Sequence, residues 1–243
     1  ILRSGVAASD GVIHTGFIHD FSRFKECCDI DRIAINTMGE ALVGSERPLI
    51  ITSGIGILSI PGRLATEQDI PATSSPNPRV ASEFAADTLA EKGVRVSIVR
   101  LPPSVHGPAD HGFVPVLIGI AREKGISVYK EEGQNYWPAV HRLDAAKLFR
   151  LALEKAPAGM VRYHAAAEEG VAFRDIAGAI GEGLNVPVVS KSVEEAAQHF
   201  TWFAHFAGMN CAVSSQHTRE VLGWKPEQPG LIEDLEISGY FKL

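Results

Sequence analysis

Apolar residues in this chain come in short blocks set between longer stretches of helical periodicity. The blocks at 11–14, 49–53 and 94–99 are only a few residues long and rich in Val, Ile and Leu, and 162–166 is a further short block of this kind built on Tyr163, Ala165 and Ala166. That length and that continuity predict strands buried on both faces. Between them, residues 31–43 place Ile33, Met38, Ala41 and Leu42 on one side, opened by Asp31 and closed by Gly44, and this spacing predicts a helix. Residues 77–92 repeat the pattern with Ala81, Phe84, Ala85, Thr88 and Leu89; Asn77 takes the N-cap, Pro78 the first position, and Gly93 ends the helix. Further helices are predicted over 113–124, 143–155, 173–184 and 215–222. Ser192 and Glu195 form a capping box opening one that carries Phe200, Trp202 and Phe203. Val128-Tyr129 reads as a short strand, 133–137 as a polar turn, and 55–77 as a long loop in the position of a substrate lid.

Strands alternating with helices predict an α/β fold, a Rossmann-like doubly wound parallel sheet. Residues 1–107, joined by 139–156, form the sheet domain; 108–243 form a smaller, mostly helical C-terminal cap. The strands at 12–14, 49–53 and 94–99 account for only the second half of such a sheet. The reading therefore places a missing N-terminal half, a β-α-β-α-β unit of about 50–60 residues, before Ile1.

Composition narrows the function. The chain has 243 residues, 45% hydrophobic and 21% charged, with a net charge of −6, and no basic stripe of the kind nucleic acid requires. No apolar run approaches the ~20 residues of a membrane span. Three cysteines, Cys27 and Cys28 adjacent, make no disulfide framework or metal-ligand spacing; they read as buried free thiols in a reducing, cytoplasmic setting.

Candidate chemistry gathers at the carboxyl ends of the strands, where open α/β sheets bind ligands. Ser53 ends the strand at 49–53 and is followed by Gly54. It lacks the hydrolase elbow, because Ile51 stands where a glycine is needed. Gly54, Gly56 and Ser59 imitate a phosphate-binding turn, but Pro61-Gly62 breaks any helix there. The strand at 94–99 runs into Pro102-Pro103, a stiff shelf at the same edge. His106 and His111 flank Asp110 without helical metal-ligand spacing, so His106 reads as a cleft residue and no metal is assigned. His14 and His141 read as structural histidines at strand ends, and Trp202, Phe203 and Phe206 as core. Gly54, Tyr136 and Trp137 are the substrate-contact candidates.

Gly11-Val-Ile-His14, Leu49-Ile-Ile-Thr-Ser53, Pro102-Pro-Ser-Val-His-Gly107, Val140-His-Arg-Leu-Asp144 and Leu222-Gly-Trp-Lys-Pro226 occur in the order seen in extended and atypical short-chain dehydrogenases/reductases. The chain thus resembles the NAD-dependent epimerase/dehydratase-like superfamily over about residues 5–240. The resemblance implies NAD or NADP as cofactor, lying along His14, Thr15 and Gly16, with Pro102, Pro103 and Val105 behind the nicotinamide. It implies that Ser53 polarises the carbonyl of a small substrate, and puts His106 where relatives have Tyr. The family's Tyr-x-x-x-Lys pair aligns with Arg79 and Glu83. Arg79 keeps a place beside the cofactor but does not release a proton near neutrality; one helical turn apart, the two are expected to pair with each other. His106, Tyr129 and Tyr136 are the replacement acids by position. The expected activity is hydride transfer between nicotinamide and a small carbonyl or alcohol. The alternatives are a non-catalytic NAD(P)-binding sensor or scaffold, and a lyase or isomerase on the same fold. Helices 31–43 and 77–92 resemble those that pair across a family homodimer.

Overall fold

The structure is a computed structural model and describes residues 1–58, 60 and 62–242; Ser59 and Pro61 of the 54–62 turn lie outside the described residues. In chain order the elements are α1 (Leu2–Ala7), β1 (Val12–His14), α2 (Phe24–Glu40), β2 (Leu49–Gly54), α3 (Val80–Glu91), β3 (Val96–Leu101), β4 (Ser104–His106), α4 (Phe113–Lys124), β5 (Ser127–Lys130), β6 (Tyr136–His141), α5 (Arg142–Glu154), β7 (Met160–His164), β8 (Glu168–Ala172), α6 (Phe173–Leu184), β9 (Val188–Lys191), α7 (Val193–Phe200), α8 (Ala204–Ala207), α9 (Gln216–Leu222) and α10 (Leu231–Ile237).

The main sheet runs β1-β2-β3-β7 and is parallel throughout. Its central strands are apolar on both faces because both faces are covered. Leu49, Ile51, Val96 and Ile98 pack with Ile35, Ala86 and Leu89 of α2 and α3. Ile50, Val99 and Tyr163 point the other way, into Leu148 and Ala152 of α5. Each aliphatic side chain fully buried in this way stabilises the fold by about 1.5–3 kcal/mol. This is the doubly wound α/β sheet that the pattern predicts. The strand at 160–164 joins it, so the sheet domain draws on more of the C-terminal half than the 139–156 segment.

The cap contains more strand than its sequence pattern suggests. β4, β6 and β8 form one sheet, while β5 and β9 pair separately. Residues 133–137 are not simply a polar turn, since β6 begins at Tyr136 and Trp137 is completely buried. Pro138 obscures the strand: it has no N–H for the ladder, and the β6–β8 register shifts between Trp137 and Ala139. Helix α2 starts well before Asp31, because Cys27 and Cys28 are core positions on its buried face. The loop after β2 is no free lid. Ala65 bridges Val213, and the buried Glu67 accepts from both Thr218 N (2.8 Å) and Thr218 Oγ1 (2.7 Å) on α9. Among the described residues no helix is long and apolar enough to cross a membrane.

Helices α2 and α3 touch at Gly39, where a Cβ would collide with the Leu89 side chain. Gly39→Ala should therefore cost about 1–3 kcal/mol by overpacking, despite its better helix propensity. A lowered urea midpoint at unchanged m-value is the expected reading.

Candidate functional site

Three buried polar clusters lie at or beyond the carboxyl ends of the main-sheet strands. The first is built on Asp31, which α2 presents beneath the end of β1. His14 Nε2 donates to Asp31 Oδ1 at 2.7 Å. Arg79 Nη1 (2.8 Å) and Ser82 Oγ (2.6 Å) both donate to Oδ2. Arg79 also reaches the Thr52 carbonyl at 2.8 Å and stacks 4.2 Å from the centroid of Phe17. Burial alone would push the Asp31 carboxyl up, but His14, the Arg79 charge and Ser82 overcome it and hold it below the ordinary carboxylate value.

The second cluster centres on Glu83 and lies deeper. Arg100 of β3 binds it bidentately, Nε to Oε1 at 2.8 Å and Nη2 to Oε2 at 2.7 Å. Arg162 of β7 adds a bond at 3.1 Å and continues to Asp87 at 2.6 Å. Both side chains of the Arg100–Glu83 pair are wholly inaccessible to solvent. Arg100 Nη2 also ties down the Asp69 carbonyl at 2.9 Å, and Nη1 meets His164 Nε2 at 3.2 Å. Burial raises the Glu83 carboxyl, but the hydrogen bonds and charge of Arg100, with the charge of Arg162, lower it further. Burial, with the Arg100 charge, lowers His164.

The third cluster belongs to the cap. His106 Nδ1 meets Asp234 Oδ2 of α10 at 2.8 Å with both side chains buried. The Tyr240 hydroxyl accepts from Gly107 N at 2.9 Å.

Several sequence expectations change here. Ser53 is paired in register with Arg100, whose side chain binds Glu83 of α3, and so lies on the same face of the sheet. Its hydroxyl is buried alongside Glu83 without closing a hydrogen bond, so it is not offered to a cleft. His106 is locked to α10 rather than lining a substrate cleft. Trp137 packs against Phe113, Phe173 and Phe203 and has no surface for a substrate. Arg79 and Glu83 do not pair: Arg79 precedes the first turn of α3 and turns to Asp31, while Glu83 faces Arg100. The Arg79 guanidinium is already engaged by the protein. Tyr129 packs on the cap core. Trp202 is 58% exposed rather than core, and stacks on Phe21 with centroids 6.0 Å apart.

Other candidates stay at the edge. Thr15 and Gly16 are exposed where β1 ends. Pro102 and Pro103 carry the chain from the main sheet into β4, and Val105 is half-buried there. Tyr136 lines a cavity of about 510 Å³ with Leu58, Arg63, Asn210 and Val213; Gly54 is half-buried at the end of β2. His141 caps α5, its Nδ1 accepting from Leu143 N at 3.3 Å. Asp31, Ser82, Arg100 and Arg162 escaped the sequence reading. The signal was present in Arg100, a charge within an apolar strand, because buried charges demand partners.

Two Uncharacterized proteins from yeasts are similar over nearly the whole chain. C2A9.02 of Schizosaccharomyces pombe is 51% identical over 241 residues, covering 99% of this chain and 81% of its own length. YLL056C of Saccharomyces cerevisiae is 49% identical over 238 residues, 98% of this chain and 79% of its own. The chain belongs to their family. No protein-family model matches it. Among solved structures, UDP-glucose 4-epimerase from Thermotoga maritima with UDP-glucose aligns with 99% of this chain and 80% of its own, at TM-score 0.74 and 17% identity. The dTDP-glucose 4,6-dehydratase DesIV (a double mutant) from Streptomyces venezuelae, with NAD bound, covers 99% and 74% at TM-score 0.73 and 17% identity. The family therefore has the Rossmann-like fold of epimerase and dehydratase enzymes.

Removing the Glu83 charge strands two buried guanidinium groups. Glu83→Gln should destabilise the protein by about 3–5 kcal/mol, read from urea unfolding. Stability should also fall on acidification in two stages. Below about 6.5 the unfolded chain protonates histidines that the fold keeps neutral: His164, and His199, which burial and then Lys124 and Lys191 lower to about 4. Below the ordinary carboxyl values of 4.5 and 3.8, the unfolded chain takes protons that Glu83 and Asp31 resist. Asp110, raised by burial, opposes this trend as a single group. Urea midpoints measured from pH 8 to 3 check the sign.

Proposed function

We propose that this protein is a nicotinamide-dependent enzyme of the epimerase/dehydratase-like, short-chain dehydrogenase/reductase type, acting on a small carbonyl or alcohol. The observation that carries this reading is the Asp31 cluster. It sets a titratable imidazole, a guanidinium and a hydroxyl around one carboxylate at the edge where a doubly wound sheet binds its ligand. The shared fold supports it, since the dehydratase structure holds NAD.

The residues present fit one end of such a cofactor. Thr15 and Gly16 leave an open strand exit, and a Cβ at Gly16 would meet nothing nearer than the His14 ring at 3.5 Å. Thr15, Gly16, Pro102, Pro103 and Val105 would hold the nicotinamide. A diphosphate needs a glycine-rich turn opening a helix. Gly54–Gly56 leads instead into a short 3-10 turn, with Met209 Sδ 3.3 Å from a Cβ placed at Gly56. The described residues therefore fit the nicotinamide end, and no diphosphate site is assigned among them. When bound, the nicotinamide supplies or accepts hydride. The cavity lined by Tyr136 and Arg63 receives the substrate. Ile30 and Ile33, exposed on α2, would form the homodimer face.

A sensor that binds the cofactor without turnover is the second reading. It is favoured by the engagement of Arg79 and Glu83, the residues at the Tyr and Lys positions, in protein ion pairs. Titration with NADH and NADPH followed by fluorescence, then a panel of aldehydes and ketones followed by loss of absorbance, separates the two. Binding with consumption is expected. Binding without consumption of either cofactor by any carbonyl would establish the sensor, and absence of binding would reject both.

A further inference from the structure

Resting on that reading, we infer that His14, oriented by Asp31, is the acid–base group of this site and takes the place that Arg79 cannot fill. His14 and Arg79 bind opposite oxygens of one carboxylate, at 2.7 and 2.8 Å. The imidazole therefore shares its anchor with the side chain that stands at the position the resemblance assigns to a tyrosine.

The geometry dictates which nitrogen acts. Asp31 is ionised and accepts only, so Nε2 carries the hydrogen that it binds. That leaves Nδ1 as the atom that gains and loses a proton. Nδ1 has no hydrogen-bond partner among the described residues, and it faces Gly16, 3.7 Å from where a Cβ would sit. The His14 side chain is 13% exposed against 2% for Asp31, so the ring edge is open while its anchor is sealed. Thr52 Oγ1 donates to the His14 carbonyl at 2.8 Å, fixing the backbone that carries the ring. A buried carboxylate holding one imidazole nitrogen so that the other does the chemistry is the logic of Asp–His pairs in acyl transfer. Here it serves an alcohol–carbonyl pair.

In the reducing direction the Nδ1–H bond breaks and an O–H bond forms on the substrate oxygen as hydride from the nicotinamide reaches carbon. The ring is left neutral, with Nε2–H still on Asp31, and regains its proton from water. In the oxidising direction neutral Nδ1 accepts the alcohol proton. Asp31 is the positioning residue. His19, whose own proton affinity is lowered by burial and by Arg79, is the next imidazole along the chain, but it has no such anchor.

The test begins with two readouts that need no turnover. Nitrogen-15 NMR should show neutral His14 as the Nε2–H tautomer, and diethylpyrocarbonate should modify His14 at Nδ1. Gly16→Val, which covers that nitrogen from an exposed turn, should slow the modification at least tenfold while leaving the tautomer unchanged. An Nδ1–H tautomer, or a His14 that stays unmodified in the wild type, would overturn the assignment. With NADPH and a carbonyl that the wild type reduces, His14→Gln should lower kcat by roughly 10²–10⁴-fold at saturating NADPH. Full kcat in His14→Gln overturns the inference alone, whereas a wild type that binds neither NADH nor NADPH overturns the functional reading as well.

Discussion

The contact on which the rest depends is the bidentate pair between Arg100 and Glu83, closed off from water at the centre of the sheet edge. A charge inside a strand that is otherwise apolar on both faces costs several kcal/mol unless its partner is fixed opposite it. Meeting that condition determines the neighbourhood. Helix α3 must place Glu83 above β3, β7 must bring Arg162 alongside, and the crossing after β2 must pass close enough for the Asp69 carbonyl to satisfy the last guanidinium nitrogen. One ion pair thus sets the height of a helix, the order of two strands and the path of a loop.

The Asp31 cluster uses the same physics nearer the surface. Three donors converge on one carboxylate, and one of them is a titratable imidazole with an open edge. The deep cluster is saturated and rigid, whereas the shallow one keeps one nitrogen free. Helix α3 contributes to both, Ser82 to the shallow cluster and Glu83 to the deep one.

The parts of this architecture legible in the sequence are those governed by local rules. The ends of α4 and α6 coincide with the pattern, because Gly125 takes the left-handed conformation after α4 and Asn185 does so after α6. The capping box at Ser192 forms as its spacing dictates. What the pattern misses is decided at long range. Helix α2 begins early because Cys27 and Cys28 find a core, β6 hides behind Pro138, and β8 reads as acidic because Glu168 and Glu169 serve as acceptors for Leu231 N and Ser215 N. The site follows the same division. The strand-end edge where the candidate site lies is marked in the sequence by Ser53 and the two prolines. The direction Ser53 faces is not, since that follows from its register with Arg100.

The stitching of residues 65–69 into α9 and β7 has a consequence for recognition. With Glu67 holding Thr218, and Thr218 holding His164 N at 2.8 Å, the wall beside the cavity is part of the folded scaffold. A ligand entering that cavity would require little reordering of the chain, and it would be selected by fit to the side chains already lining the wall rather than by closure around it.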